Sequence, residues 1–224
     1  AMFSRVSMNG ALMKTRLQVV STVLTILSTA ILLTIYLAWL TYPLEIEWLQ
    51  LEKVVYMKAE DILYNFHILM KYLTNPFQQV LDMPNFSSSA DGLHHFEQVK
   101  WLFHFTQLAF LISLPASLVF FKDVLRKGYG SLFQKTYIWM AVLPLLIGGM
   151  GALIGFNAFF TLFHQILVVG DSTWLFNPNT DPVIYILPET FFLHCFLLFF
   201  LLYEALTGAV IFYIHKKRKD KVSI

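Results

Sequence analysis

Two histidines lie in short motifs near the ends of apolar stretches, where their side chains suit acid–base chemistry. His95 belongs to LHHFEQVKWLFH, residues 93–104, and His164 belongs to FFTLFHQIL, residues 159–167. Imidazole titrates closer to neutral pH than any other side chain, so one histidine can accept a proton while another donates one. The sequence therefore makes His95 and His164 the candidate catalytic residues.

A third polar motif, DSTWLFNPNTDPVIYILPETFF, covers residues 171–192. Asp181 precedes a proline and could simply close a turn, and Glu189 could lie favourably at a helix N-terminus. Pro188 suits the first turn of a helix. The alternative is that these residues support chemistry at the two histidines.

Other kinds of catalytic site have little support in the sequence. His94, His95 and His164 could supply metal ligands, but adjacent histidines on a helix diverge by about 100°, and no HExxH motif or His/Cys cluster is present. The serines lack the GxSxG pattern of a hydrolase. The single cysteine, Cys195, lies in an apolar run, as a buried residue does. We therefore predict no metal and no cofactor, and find no good candidate for a covalent nucleophile.

The composition is that of an integral membrane protein. Hydrophobic residues make up 57% of the chain and charged residues only 13%, and there are 22 phenylalanines. Soluble domains carry about 25% charged residues. A chain of this size could not bury so much apolar surface in water. Nucleic-acid binding, disorder and a disulfide scaffold are poor interpretations.

Four apolar stretches reach the length of roughly 20 residues that a bilayer requires. They predict an all-α integral membrane protein, one domain over residues 1–224. The first stretch exceeds the 7–15 residues of a signal-peptide core, so we expect it to be retained. The predicted spans are about 17–42, 101–121, 136–164 and 188–214.

The basic residues predict the orientation of the spans. Of the 16 lysines and arginines, twelve lie in the N-terminal segment, between the second and third stretches, or in the tail. The positive-inside rule then places both termini in the cytoplasm. Segments 43–100 and 165–187 become extracytoplasmic, with both histidine motifs at the outer interface. The other five histidines are interpreted as ordinary polar groups near the membrane surface: His67, His94, His104, His194 and His215.

The long segment 43–100 is predicted to be a helical extracytoplasmic subdomain. From Glu45 to Leu73 apolar residues recur at helical spacing, and Asn75-Pro76 ends the pattern. A turn-rich stretch follows. Ser89 or Asp91 can cap a new helix that continues into the second span.

Taken together, these motifs resemble the lipoprotein intramolecular transacylase family of Gram-positive bacteria, over nearly the whole chain. The resemblance implies a multi-pass enzyme of the cell membrane whose active site faces the extracytoplasmic side. Its substrate would be a lipoprotein whose N-terminal cysteine carries a diacylglyceryl group. The sn-2 acyl chain would move to the cysteine α-amine and give the N-acyl-S-monoacylglyceryl, or lyso, form.

The resemblance also implies roles for individual residues. His95 and His164 fall on the family's histidines and would be catalytic. Residues of the same motifs would support the chemistry or position the substrate: Glu97, Gln98, Trp174, Asp181, Pro188 and Glu189. At position 98 the family often has an acidic residue, whereas this chain has Gln98 with Glu97 beside it. The implied partners are diacylglyceryl-modified lipoproteins and membrane lipids, without nucleic acid or a cofactor.

Two other functions remain open at this point. One is a non-enzymatic four-span sensor or accessory protein. The other is a membrane acyltransferase that takes its acyl group from a phospholipid through a covalent acyl-enzyme. Replacing His95 would abolish product in an enzyme, but would only retune binding in a sensor.

Overall fold

The computed structural model describes the backbone of residues 2–222 and the side chains of residues 14–220. Helices and loops make up these residues, and no strand occurs among them. Short π-helical and 3₁₀ turns occur at Phe121–Leu125, Gly130–Phe133 and Pro182–Tyr185. The α-helices of the described chain are α1 (Met2–Trp48), α2 (Leu51–Val55), α3 (Ala59–Thr74), α4 (Ala90–Phe120), α5 (Gln134–Ile154), α6 (Phe156–Leu167) and α7 (Glu189–Val222).

Four helical segments are long and apolar enough to cross a membrane, as the sequence predicts. Large apolar side chains on them point outward; Leu111 is 64% exposed and Leu201 is 69% exposed. Such exposure is unfavourable in water and ordinary in lipid, where apolar surface needs no burial. The segments are Lys14–Trp48, Ala90–Leu125, Gly130–Ile154 and Glu189–Asp220.

The helix predicted from Glu45 to Leu73 is divided in the structure. α1 continues to Trp48, and the chain then changes direction at Gln50 (φ 51°) and at Tyr56 (φ 54°). Both residues adopt the left-handed conformation, which an α-helix of L-residues cannot continue. The apolar pattern itself holds in α3, which buries its Ile62–Phe66–Leu69 face.

The third predicted span, 136–164, is also interrupted. α5 ends at Ile154, Gly155 adopts φ 86°, and α6 begins at Phe156. Glycine lacks a Cβ and tolerates this conformation, so a break at Gly155 has little steric cost. The helix that carries His164 is therefore separate from the apolar helix before it.

The described residues form two compact units, and α1, α4, α5 and α7 contribute segments to both. The first comprises the chain up to Ile31, Thr106–Ile147, and the chain from Phe199. Thr25 Oγ1 lies 2.8 Å from Ser113 Oγ and 2.7 Å from Ser117 Oγ, so small hydroxyl side chains join α1 to α4. Close approach through small residues is a common way to pack membrane helices.

The second unit comprises Leu32–Phe105 and Gly148–Leu198 and contains all the candidate site residues. Its core is built around Tyr42, whose ring stacks on Phe66 at 3.5 Å and meets Phe191 edge-on. The Tyr42 hydroxyl donates a hydrogen bond to the carbonyl of Ile186 at 2.6 Å. These contacts hold the 168–188 loop, which we call the site loop, against α1, α3 and α7.

Candidate active site

Two partly buried hydrogen bonds fix the start of α4, the helix that carries His95. Ser89 is its N-terminal cap, because the Ser89 hydroxyl accepts the N–H of Gly92 at 3.0 Å. The N–H of Ser89 in turn donates to Asp181 Oδ1 of the site loop at 2.7 Å. Gly92 leaves room for this contact, since a Cβ there would lie 2.1 Å from Asp181 Oδ1. Asp181, only 3% exposed, therefore ties the site loop to the helix.

His95 and His164 lie side by side, with ring centroids 5.8 Å apart and planes inclined by 40°. His95 is 8% exposed, and His164 occupies the last turn of α6. Phe176 meets the His95 ring edge-on at 5.5 Å, and Trp174 stacks on the His164 ring at 4.6 Å. Two aromatic side chains of the site loop thus cover the histidine pair.

Hydrogen-bond partners indicate where the protons of the histidine pair reside. His164 Nδ1 lies 2.8 Å from the carbonyl oxygen of Phe160, which can only accept. His164 Nδ1 therefore carries the proton in the neutral ring, and Nε2 keeps its lone pair. His95 Nδ1 is buried and meets no hydrogen-bonding partner among the described residues. The pair thus offers a basic nitrogen on one ring and an unengaged nitrogen on the other.

A carboxylate that sequence reasoning missed lies beside the pair. Asp171 Oδ2 accepts a hydrogen bond from Gln98 Nε2 and lies 3.2 Å from His94 Nε2. Asp171 Oδ1 accepts the backbone N–H of Thr173 at 2.8 Å. This hydrogen bond is the main reason that the pKa of Asp171 falls to about 2, so the group is ionised at neutral pH. Gln98 thus binds a carboxylate supplied by the site loop.

The remaining predicted residues lie around the pair rather than on it. Glu97 is exposed, and no hydrogen bond joins it to either histidine within the described part of the chain. Asn157 Nδ2 of α6 donates to Glu189 Oε2 at 3.0 Å. The carbonyl of Pro188 accepts the N–H of Phe191 at 2.9 Å, as expected at the start of α7. Glu189 therefore joins α7 to α6, and Pro188 belongs to the first turn of α7.

Two further histidines have partners that the sequence did not reveal. His194 Nδ1 lies 2.8 Å from Glu45 Oε2, and Glu45 is buried. Trp39 Nε1 donates to His67 Nδ1 at 2.6 Å. Both contacts join residues far apart in the chain, and no local motif marks either of them. Across residues 14–220, no cluster of three or more His, Cys, Asp or Glu side chains could hold a metal ion.

An open groove of about 820 Å³ is lined by Gln98, one turn after His95 on α4, and by Leu167, one turn after His164 on α6. Gln98 and Asp171 form its polar end, and Trp101, Leu102 and Phe105 of α4 form one apolar wall. Residues 167–169 form the facing wall. The groove has the volume of a ligand site and is mainly apolar.

Comparison with known proteins identifies relatives of the chain. The family model for the lipoprotein intramolecular transacylase Lit matches residues 16–192. The in meso structure of the membrane integral lipoprotein intramolecular transacylase Lit from Bacillus cereus superposes with a TM-score of 0.85 at 25% identity, covering 95% of this chain and 97% of that one. Two variants of the Bacillus cereus protein, with a histidine changed to arginine or to alanine, share the fold at TM-scores of 0.80, 24% identity and coverages of 98% or more of each chain. No curated protein matches the chain.

Proposed function

The chain belongs to the lipoprotein intramolecular transacylase family, and on this premise we propose that it moves the sn-2 acyl chain of a diacylglyceryl-cysteine lipoprotein to the cysteine α-amine. The product is the N-acyl-S-monoacylglyceryl lipoprotein. The observation that carries the proposal is the histidine pair, with its ring centroids 5.8 Å apart beneath aromatic side chains.

The reaction is a problem of moving protons. An α-ammonium with an ordinary pKa of about 7.7–8.0 must first release one proton to become a nucleophile. As the new C–N bond forms and the sn-2 C–O bond breaks, a second proton leaves nitrogen and another reaches the glycerol oxygen. His164 Nε2 takes the proton from nitrogen, His95 gives one to the leaving oxygen, and return of the proton from His164 to His95 restores both rings. Each assisted transfer contributes roughly 10²–10⁴-fold.

No covalent acyl-enzyme is required, because the amine and the ester belong to one molecule. Holding them in a reactive geometry can supply roughly 7–11 kcal/mol of the barrier reduction. The aromatic cover supports this role, since water would compete with the amine for the ester. Trp174 and Phe176 lie over the rings, and Phe96 packs on Phe176 at 5.2 Å.

We place the reaction at the outer face of the cell membrane, with both termini in the cytoplasm. The bias of basic residues supports this orientation. Segments 43–100 and 165–187 are then extracytoplasmic. We propose spans within the apolar helices near 17–42, 101–121 and 188–214, and a third that begins near 136 and whose helix ends at Ile154, before the break at Gly155. Diacylglyceryl lipoproteins reach the site from the surrounding lipid.

Tandem mass spectrometry of a synthetic diacylglyceryl-cysteine lipopeptide tests the proposal. The enzyme should leave the intact mass unchanged and move one acyl mass onto fragments that contain the α-amine. A phospholipid-dependent acyltransferase would instead raise the intact mass by one acyl group. A sensor or accessory protein would change neither quantity, and either of these results would refute the proposal.

A further inference from the structure

The groove one helical turn from the histidine pair combines one anionic end with apolar walls. Gln98 and Asp171 lie at the polar end, and Trp101, Leu102 and Phe105 follow along α4. Trp101 and Phe105 are exposed large apolar residues. A ligand that fits such a groove carries a cation next to a hydrocarbon chain, because each part then meets a surface of matching chemistry.

Asp171 still has capacity to accept a ligand's hydrogen bond. A carboxylate has about four acceptor positions. The N–H of Thr173, the amide of Gln98 and, when its Nε2 carries a proton, the ring of His94 account for at most three of them. The Asp171 side chain is 21% exposed, so its remaining position can be reached by a donor that enters the groove.

The same carboxylate is close to the chemistry. Gln98 follows His95 by three residues, which places the two side chains on one face of α4. Asp171 Oδ2 accepts a hydrogen bond from Gln98 Nε2 and lies 3.2 Å from the ring of His94, the residue before His95. A cation held by Asp171 would therefore lie within one helical turn of His95.

We propose that Asp171 binds the α-ammonium of the substrate's N-terminal cysteine, with an acyl chain of the same molecule lying along the groove. This inference rests on the proposed function and makes Asp171 a positioning residue. An ammonium donates charge-assisted hydrogen bonds to a carboxylate. Gln98 and the Thr173 N–H hold the carboxylate in place for it.

Binding the ammonium has a predictable effect on the rate. A neighbouring carboxylate favours the charged amine and raises its pKa. Asp171 therefore improves binding while opposing the loss of the first proton. Asp171→Asn should raise KM by about tenfold or more, the scale of one hydrogen bond to a charged group. The rise of kcat with pH should shift to lower pH in this variant. A residue with a merely structural role would not produce that shift.

Two ligands distinguish loss of the contact with the ammonium from disruption of the whole binding site. The first is a diacylglyceryl-cysteine lipopeptide with a free α-amine, and the second is the same lipopeptide with an acetylated amine, used as a competitive inhibitor. Asp171→Asn should raise the KM of the free-amine lipopeptide. It should leave the inhibition constant of the acetylated lipopeptide unchanged. Asp82→Asn, which alters an exposed carboxylate of the 75–89 connection, should affect neither ligand.

The outcomes that overturn the inference are distinct from failure of the proposed function. If Asp171→Asn raised the KM of the free-amine lipopeptide and the inhibition constant of the acetylated one by the same factor, or left the KM unchanged, Asp171 would not bind the ammonium. If Asp171→Asn unfolds, Asp171→Glu decides, because it keeps the charge and must keep the preference for the free amine. If the wild-type protein forms no N-acylated product, the proposed function has failed.

Discussion

Trp174 stacks on His164 with ring centroids 4.6 Å apart and planes only 21° apart. The stack fixes the imidazole from one side while the carbonyl of Phe160 holds Nδ1 at 2.8 Å. Together the two contacts leave Nε2 as the basic nitrogen of the ring. The orientation of His164 is therefore determined by a helix and by a loop that follows it.

Removing either histidine of the pair should abolish most of the activity. We expect His95→Ala and His164→Ala each to lower turnover by at least about 100-fold, because each removes one assisted proton transfer. The double variant should be little slower than either single one, since residues of one catalytic unit are strongly non-additive. Initial rates of N-acylation, measured at matched protein levels, test this.

The matched control is His215→Ala, which removes an imidazole far along the chain in α7. It should retain wild-type turnover. His95→Gln keeps hydrogen bonding without titration, so full activity in that variant would mean that His95 positions the substrate and does not transfer protons. An active, folded His95→Ala protein would exclude both roles.

Trp174→Ala should change the product as well as the rate. Loss of the indole uncovers His164 and admits water, which competes with the amine for the ester. We expect a higher ratio of free fatty acid to N-acylated lipopeptide, measured by chromatography of the extracted lipids. Trp174→Phe, which keeps an aromatic cover, should restore a ratio near that of the wild type. An unchanged ratio in Trp174→Ala would show that the indole does not exclude water.

Several contacts in the candidate site could not be predicted from sequence patterns, because they join residues that are distant in the chain. Apolar length predicts the four spans, and the Ser89 cap follows from local chemistry. In contrast, the bond between Gln98 and Asp171 and the pair formed by Glu45 and His194 join residues 73 and 149 positions apart. Such proximity arises from packing. Asp171-Ser-Thr did carry a turn signal, since aspartate often accepts the N–H two residues later. That signal predicts a local turn at Asp171, but it does not predict which distant residues contact the carboxylate.

The break at Gly155 illustrates a second limit. No charged residue occurs between Lys135 and Asp171, so composition alone predicts one long span. A glycine within such a run is compatible with a helix and with a break, and only its φ of 86° distinguishes the two.

Asp181 should stabilise the protein in a pH-dependent way. Burial raises its pKa, but hydrogen bonds from Thr180 and Ser89 outweigh that effect, and the net pKa is lowered. A lowered folded-state pKa means that the stabilisation is complete above the unfolded pKa of about 3.9 and is lost as pH falls through the folded value. The melting temperature should therefore decline below about pH 4, and this decline should be smaller in Asp181→Asn.

At neutral pH, Asp181→Asn should itself lower the melting temperature by a few degrees, because it weakens the buried contact at the start of α4. Thermal unfolding in detergent, followed across pH, measures both effects. Asp61→Asn, an exposed carboxylate in α3, is the control and should follow the wild type. Identical pH profiles for wild type and Asp181→Asn would contradict the assignment.

The proposed orientation can be tested on intact cells. Tags inserted beside Lys127 or fused to the C-terminus should be protected from added protease, whereas a tag beside Asn85 should be cleaved. The expectation follows from the excess of basic residues on one side of the spans. Cleavage at Lys127 would reverse the topology and place the histidine pair on the cytoplasmic side.

Intramolecular transfer between two groups of one lipoprotein is tested most directly by a crossover experiment. One lipopeptide carries deuterated acyl chains, and a second, with a different peptide mass, carries ordinary chains. Incubated together with the purified protein, each peptide should acquire on its α-amine only the acyl chain that it brought. Deuterated chains on the second peptide would show that the acyl group leaves its parent molecule, and direct transfer from glycerol oxygen to cysteine nitrogen would be wrong.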